Sequence, residues 1–422
     1  MFRSTRSVLQ GTTSAASASW RQSLAHTRPS LRATCTRPTV SWMMRSHSTT
    51  AAAPVDSKES HKPKPKTGIV LMNLGGPATE DEVHDFLLRL FSDGDLIPLP
   101  FQKYAAQVIA KRRTPKIKEQ YNQIGGGSPI RKWTTEQGTA MEKILDKISP
   151  ETAPHKHYIA FRYAHPLTPE TLEEMKADGV ERAVAFTQYP QYSCSTTGSS
   201  MNELYRQLQE WDPERKMKWS VIDRWHNHSG LVQAVANHIE DGLAKYPAEK
   251  RDDVIILFSA HSLPMEIINK GDSYPSEVAA TVDAVMKKLN YKNSYKLVWQ
   301  SQVGPRPWLG PQTNKAILGL GEKGHNDQLL VPIAFTSDHV ETLFELDLEY
   351  GEEAHEAGIT GLTRAESLNA DPVFIEAMAD IVKGHLNQTA SEGASPISKQ
   401  FAIRCPGCTN ETCKDTRDYF KQ

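Results

Sequence analysis

Apolar residues along this chain gather into short runs, and polar residues separate those runs at helix-length intervals. Thr67-Gly68-Ile69-Val70-Leu71-Met72-Asn73-Leu74 is apolar without alternation, as expected of a strand buried on both faces, and it stops at Gly75-Gly76-Pro77. Residues 81–91 then switch to helical spacing. Further strand-sized runs stand at 158–161, 182–186, 219–222, 254–258, 296–299 and 329–335, with amphipathic stretches between them. Short strands alternating with helical segments predict parallel β/α units. Once a leader is set aside, about 365 residues remain, more than one typical domain needs. The pattern predicts an α/β fold of two doubly wound domains, 66–225 and 226–395, followed by a tail at 396–422. Apolar runs such as Val254-Ile255-Ile256-Leu257-Phe258 fall far short of the ~18 residues that span a bilayer.

In doubly wound sheets, ligands gather beyond the carboxyl ends of the strands. Polar signatures fall at those ends: Arg162-Tyr163, Asp223-Arg224-Trp225-His226, Ser259-Ala260-His261-Ser262 and Ser337-Asp338-His339-Val340-Glu341. Imidazoles, carboxylates and aromatic groups at four strand ends point to one shared cleft.

Charge changes the picture at the amino terminus. Seven arginines precede the first acidic residue, Asp56, in a stretch rich in Ser, Thr and Ala. An acid-free, arginine-bearing leader over residues 1–55 reads as an organelle transit peptide, the mitochondrial type favoured; a disordered basic arm is the plainer alternative. Without it, 42 basic residues face 50 acidic ones, which argues against a nucleic-acid surface.

Five cysteines are present, and Cys35 falls in the leader. The other four cluster as one plus three: Cys194, then Cys405, Cys408 and Cys413 in the tail. In a reducing, matrix-like compartment, structural disulfides are disfavoured, and four thiolates match either tetrahedral zinc or an iron–sulfur group. Cysteine count does not separate the two. A thioredoxin-type pair at Cys405-x-x-Cys408 is disfavoured, because those motifs open a helix after a strand and carry no third cysteine five residues on.

Each remaining motif has a plain reading beside its chemical one. His261, at the end of an apolar strand, suits proton transfer or metal ligation, or simply a hydrogen bond to a carbonyl. Asp338, Glu341, Glu345 and Glu349 recur at helical spacing around His339. Asp338 as N-cap with Glu341 three residues on is a capping box, the favoured reading of that segment by itself; a carboxylate row for a divalent cation such as Fe²⁺ is the other. Gly125-Gly126-Gly127 can bring amides to an anion but lacks the lysine of a P-loop. Arg112-Arg113 is a solvated basic element or a carboxylate clamp. Residues 96–101 are apolar without periodicity, fit either for core or for an exposed lip touching a membrane.

Seven motifs in order resemble those of the ferrochelatase family, over essentially the whole chain beyond the leader. They are Leu74-Gly75-Gly76-Pro77, Ile124-Gly125-Gly126-Gly127-Ser128-Pro129-Ile130, Phe161-Arg162-Tyr163-Ala164-His165-Pro166, Phe186-Thr187-Gln188-Tyr189-Pro190-Gln191-Tyr192-Ser193, Ser259-Ala260-His261-Ser262-Leu263-Pro264, Val298-Trp299-Gln300-Ser301-Gln302-Val303-Gly304-Pro305 and Phe335-Thr336-Ser337-Asp338-His339-Val340-Glu341-Thr342. The resemblance implies two Rossmann-like, chelatase-like domains with parallel sheets facing a porphyrin cleft. It implies a lyase that inserts Fe²⁺ into protoporphyrin IX to give protohaem, the last step of haem formation. It also implies a homodimer, peripheral on the matrix side of the mitochondrial inner membrane. By the same resemblance, Cys194, Cys405, Cys408 and Cys413 hold a [2Fe–2S] cluster. Arg113, Tyr121 and Ser128 contact porphyrin, and Leu74, Arg162, Tyr163 and Trp308 line the cleft; Leu74 departs from the Met of some members. His261 matches the active-site histidine, Asp338, His339, Glu341 and Glu345 the polar row opposite, and His228 and Asp380 further active-site positions. A chelatase for cobalt or another divalent metal, and a haem or iron–sulfur carrier without catalysis, are the competing readings.

Overall fold

The computed structural model describes residues 66–97 and 99–422. The expected leader, Cys35, Pro98 and all of the Lys/Pro spacer except Lys66 lie outside the described residues. Eight strands form two all-parallel four-stranded sheets. The first takes β1 (Thr67–Asn73), β2 (His155–Phe161), β3 (Arg182–Thr187) and β4 (Lys218–Ile222) in the order β2-β1-β3-β4. The second takes β5 (Ile255–His261), β6 (Tyr295–Gln300), β7 (Asp327–Pro332) and β8 (Gly361–Arg364) in the order β6-β5-β7-β8. Both sheets follow one winding pattern, and β1 and β5 sit inside their sheets, which explains their unbroken apolar character. The apolar runs predicted seven of the eight strands. Only β8, four half-buried residues at a sheet edge, lacks such a signal.

Helices supply the crossovers. The early ones are α1 (Val83–Ser92), α2 (Gln102–Gln123), α3 (Ile130–Ile148), α4 (Thr168–Asp178), α5 (Ser199–Trp211) and α6 (Ser229–Ala244). After β5 come α7 (Met265–Asn269), α8 (Tyr274–Lys288), α9 (Thr313–Gly321), α10 (Tyr350–Glu356), α11 (Pro372–Thr389) and α12 (Glu411–Phe420). Two segments, Cys194–Gly198 and Glu341–Glu349, wind more widely as π-helix.

One buried cluster takes side chains from both sheets, including Leu71 and Phe186 from the first and Ile256 and Phe258 from the second. Trp225 bridges them, edge-on to Phe186 at 5.7 Å and stacked on Phe374 of α11 at 6.0 Å. The described residues accordingly belong to one compact unit. The tail belongs to the first sheet's outer core: Ile397, Phe401, Tyr419 and Phe420 pack with Trp219, Met201 and Leu204. The carbonyl of Pro396 accepts a hydrogen bond from Val221 of the edge strand β4 at 2.8 Å, covering an otherwise open edge.

Candidate active site

The carboxyl end of β5 presents His261, its side chain 38% exposed. Its Nδ1 lies 2.9 Å from Glu341 Oε2. Donation from Nδ1–H leaves the Nε2 lone pair free, and among the described residues no hydrogen bond engages it. Burial disfavours the charged imidazole, but the Glu341 charge and hydrogen bond outweigh it, so the pKa of His261 lies above its ordinary 6.5. Burial likewise opposes ionisation of Glu341, yet His261 and the bond between them pull its carboxyl down to about 2.

Glu341 and Glu345 share the inward face of the π-helical segment. Glu345 accepts hydrogen bonds from the Ser301 amide at 2.7 Å, the Ser301 hydroxyl and the Tyr350 hydroxyl at 2.5 Å. Burial and the neighbouring Glu341 charge push its pKa up despite those donors. Gln300, at the end of β6, reaches both carboxylates at 3.5 Å. The pair therefore consists of one ionised carboxylate beside a base and a second that holds a proton more readily.

The capping-box reading of this segment is overturned. Val340 is the N-cap with no side-chain bond, and Glu341 turns to His261 instead of back along the chain. Asp338 does no capping of the segment's first amides. It is tied by Thr342 at 3.1 Å, Ser367 at 2.7 Å, Asn369 at 2.7 Å and Arg364 at 3.2 Å. Burial opposes its charge, but Arg364 and those donors keep its pKa below 3.8. His339 packs on Phe335 at 4.5 Å, with Nδ1 3.1 Å from the Ser337 carbonyl. Burial lowers its pKa below 6.5, so it is a neutral imidazole near neutral pH.

The opposite wall comes from the first sheet and α2. Leu74 follows β1, and its carbonyl accepts from the Tyr163 amide at 3.0 Å. Tyr163 is wholly buried and gives its hydroxyl to Asp93 Oδ2 at 2.6 Å, so it backs the wall where the resemblance placed it on the surface. Asp93 also takes Arg162 at 3.0 Å and Ser199 at 2.8 Å. Arg162 lies 5.1 Å over the Tyr163 ring and lines an open cavity of about 480 Å³ with Arg89, Asp95, Glu203 and Arg206. Tyr121 is buried against α1, close enough to feel the Glu341 charge, and burial together with that charge raises its pKa. Arg113, half-buried on α2, sits 5.7 Å over the Phe91 ring. Trp308 bridges to Pro264 just past His261, with its indole donating to the Val303 carbonyl at 3.0 Å.

Ser128 is buried behind Gly76, where an added Cβ would come within 2.6 Å of its Oγ. The glycine loop before it is a helix stop: the Gly126 amide bonds to the Tyr121 carbonyl at 2.8 Å, and Gly125 and Gly126 have φ of 108° and 93°. Its amides close α2, which removes the anion-cradle reading at Gly125 and Gly126. His228 and Asp380 are brought together with each other, Nε2 to Oδ2 at 3.2 Å, beside a cavity of about 380 Å³ that His261 and Glu341 do not line. Residues 96–101 divide: Ile97 and Leu99 pack against α1 and α2, while Phe101 is 86% exposed. Sequence reading missed Gln300 and Asp93, whose partners are set by long-range packing, and Tyr350, whose partner Glu345 stands five residues before it; a polar residue inside a quoted motif was the available signal for Gln300.

All four cysteines after the leader are free thiols. Cys194 opens the first π-helical segment, and its amide donates to Asp272 Oδ2 at 2.7 Å. Cys413 is buried on α12, and its sulfur accepts from Asn202 Nδ2 at 3.2 Å. Burial raises the pKa of Cys194, Cys405 and Cys413; Cys194 feels the charges of Cys405 and Cys413, these two feel that of Cys408, and Cys194, Cys405 and Cys413 all act on Tyr192. As they stand, no three His, Cys, Asp or Glu side chains among the described residues are disposed about a single metal ion. Four free thiols from two segments, with an amide donor already on one sulfur, nevertheless suit a thiolate-held group. Among the described residues no helix is long and apolar enough to cross a membrane.

Comparison with known proteins brings a family model described as ferrochelatase, which matches residues 66–386. The mitochondrial ferrochelatase of Homo sapiens is 58% identical over 363 residues, covering 86% of this chain and 85% of its own length. That of Gallus gallus is 57% identical over 374 residues, covering 88% and 92%. That of Schizosaccharomyces pombe is 53% identical over 359 residues, covering 85% and 84%.

Proposed function

The chain belongs to the ferrochelatase family, and we propose that His261 is the base that strips porphyrin nitrogens while Glu341, ionised, stabilises the imidazolium that forms. The reaction is insertion of Fe²⁺ into protoporphyrin IX, with release of two protons, to give protohaem. Two pyrrole N–H groups must lose their protons as the metal enters, so a base has to face the macrocycle. The neutral His261, hydrogen-bonded to Glu341 through Nδ1, with a free Nε2 and side-chain exposure, is the observation that carries this assignment. A proton taken at Nε2 leaves an imidazolium that Glu341 stabilises through Nδ1. Glu345, which retains a proton more readily, extends the route inward. Neutral His339 offers iron a ligand without charge repulsion, and binding there is transient because iron must pass to four nitrogens.

Around this centre, Arg113 and Ser128 would take propionates, with Leu74, Arg162, Tyr121 and Trp308 against the ring and Tyr163 bracing Arg162. Holding a planar macrocycle off its relaxed shape stores some of the ~1–5 kcal/mol of strain that eases metalation. Asp338, saturated by Arg364 and three other donors, orients the segment's start without taking protons. His228 and Asp380 form a separate pair and act away from the base.

Cys194, Cys405, Cys408 and Cys413 would hold a [2Fe–2S] cluster, which supplies one-electron capacity and a tie between tail and first sheet. The leader would direct the chain to mitochondria, in line with the names of its relatives. Phe101, Tyr104 and Val108, exposed at 86%, 72% and 57% along one side of α2, support peripheral docking on the inner membrane's matrix face. A homodimer is the expected assembly.

His261→Ala tests the core of the reading. Porphyrin binding should persist while iron insertion in an anaerobic haem assay falls about 10²–10⁴-fold; turnover near that of the parent protein would remove His261 as base.

A further inference from the structure

Arg417 is an anomaly among the charges of this molecule. It is 5% exposed on α12, and its Nη2 is buried with no hydrogen-bond partner. Among the described residues, no Asp or Glu forms an ion pair with it. A guanidinium removed from water without a counter-charge is costly, so the folded chain should supply one. The carboxylates of that neighbourhood are engaged elsewhere. Asp272 accepts from Ser193, from the Cys194 amide and from the Tyr274 amide. Asp95 accepts from Arg206, Asn202 and Asn410.

A buried side chain that shares its helix face is a thiol. Cys413 stands one helical turn before it on the same face of α12. Its positive charge reaches both Cys413 and Cys405. A [2Fe–2S] group on four thiolates carries two negative charges when oxidised and three when reduced. The four protons of the thiols leave as it assembles. Such an anion is the missing partner.

We infer that Arg417 is the counter-charge of the group held by Cys194, Cys405, Cys408 and Cys413, stabilising it on the protein and favouring its reduced form. Asn202 donates to the Cys413 sulfur at 3.2 Å, so one amide donor already serves a thiolate there. The inference rests on the cluster reading above, and the two fail differently.

The experiment uses the full chain purified anaerobically, with iron and acid-labile sulfide measured first. A parent protein without either sinks the cluster reading itself. With the cluster present, Arg417→Met, Arg417→Gln and Arg417→Lys are compared for loss of visible absorption under an iron chelator and for reduction potential. The neutral variants should lose the cluster at least tenfold faster and show a more negative potential. Lysine, which keeps the charge, should stay within about threefold of the parent. Neutral variants as durable as the parent, or a lysine variant as poor as methionine, would overturn the counter-charge role. Failure of all three to fold would assign Arg417 to packing and overturn it too, whereas folding of lysine alone supports the need for charge.

Discussion

Replacing Glu341 by Gln keeps the shape of the site and removes the charge that faces His261 at 2.9 Å. A hydrogen bond to a charged partner is worth about 1.5–3 kcal/mol, and the 38% exposure of the imidazole places this one at the lower end. At ~1.4 kcal/mol per factor of ten, the variant should lose about tenfold in kcat on its pH plateau, because the imidazolium formed in the reaction is no longer stabilised. The pH dependence has a definite sign. His261 must be neutral to accept a proton, so activity rises as pH passes its pKa, which Glu341 holds above 6.5. With Glu341 gone, only the Glu345 charge still favours the imidazolium, and burial, the larger effect, favours the neutral form, so the acid limb of the profile moves to lower pH. The same linkage governs stability. The raised His261 pKa gives stability present below its unfolded value and lost as pH climbs through the folded one; the depressed Glu341 pKa gives stability present above about 4.5 and lost as pH falls toward about 2. The pair is thus most stabilising between about pH 4.5 and 6.5, and the Gln variant should differ most from its parent there. Anaerobic initial rates of haem formation across the pH range, with thermal melts at matching pH, read both effects. A limb that stays in place or moves to higher pH, or a plateau within twofold of the parent, would refute the coupling of His261 to Glu341.

Two further predictions concern the walls of the cleft. Asp93→Ala strips the shared acceptor from Arg162, Tyr163 and Ser199 and leaves the guanidinium in a site where it is 14% exposed. Loss of one partner from such a pair costs about 3–5 kcal/mol, and Glu203, already 3.5 Å from Arg162, puts the expected fall in urea-unfolding free energy at the lower end; a change below about 1 kcal/mol would show that Glu203 and water suffice for the guanidinium. Phe101→Asp should weaken binding to anionic vesicles about tenfold or more, since burying this side chain is worth about 1.5–3 kcal/mol, with turnover of detergent-dissolved porphyrin unchanged; equal vesicle binding would remove Phe101 from the docking surface.

What could be read from the chain was what depends on neighbours in sequence. Strands such as β1 and β5 declare themselves because burial on both faces leaves no polar residue to blur the run. β8 does not, since Gly361-Leu362-Thr363-Arg364 is half-buried and its arginine belongs to the Asp338 and Asp347 pairs. Spacing also misled at Glu341. An ordinary helix starting at Asp338 would have made Glu341 its capping partner, but the segment winds as π-helix, and a wider turn changes where the first carboxylate points. No local rule announces that. Asp93 was invisible for a different reason: its partners lie 69 to 106 residues away, and an aspartate in a Gly-containing loop looks like any turn residue.

The thiols that stand out in the sequence and the imidazole that does the chemistry belong to different sheets, and the geometry indicates what joins them. The tail packs on the first sheet's outer face, where Asn410 holds Asp95 at 2.8 Å and Asn202 touches both Asp95 and Cys413. Two residues earlier, Asp93 holds Arg162 and Tyr163. The short turn Asp93-Gly94-Asp95 therefore carries one carboxylate fastened to the tail and one fastened to the wall of the cleft. A tail that loosens takes Asn410 from Asp95 and leaves that carboxylate to Arg206 and Asn202, and Arg162, held two residues earlier at Asp93, is the cleft residue nearest to that change. His261 and Glu341 stand on the second sheet, held by β5, β6 and the shared core around Trp225 and Phe374. Disturbance of the tail should accordingly act on how porphyrin is held before it acts on how protons are moved.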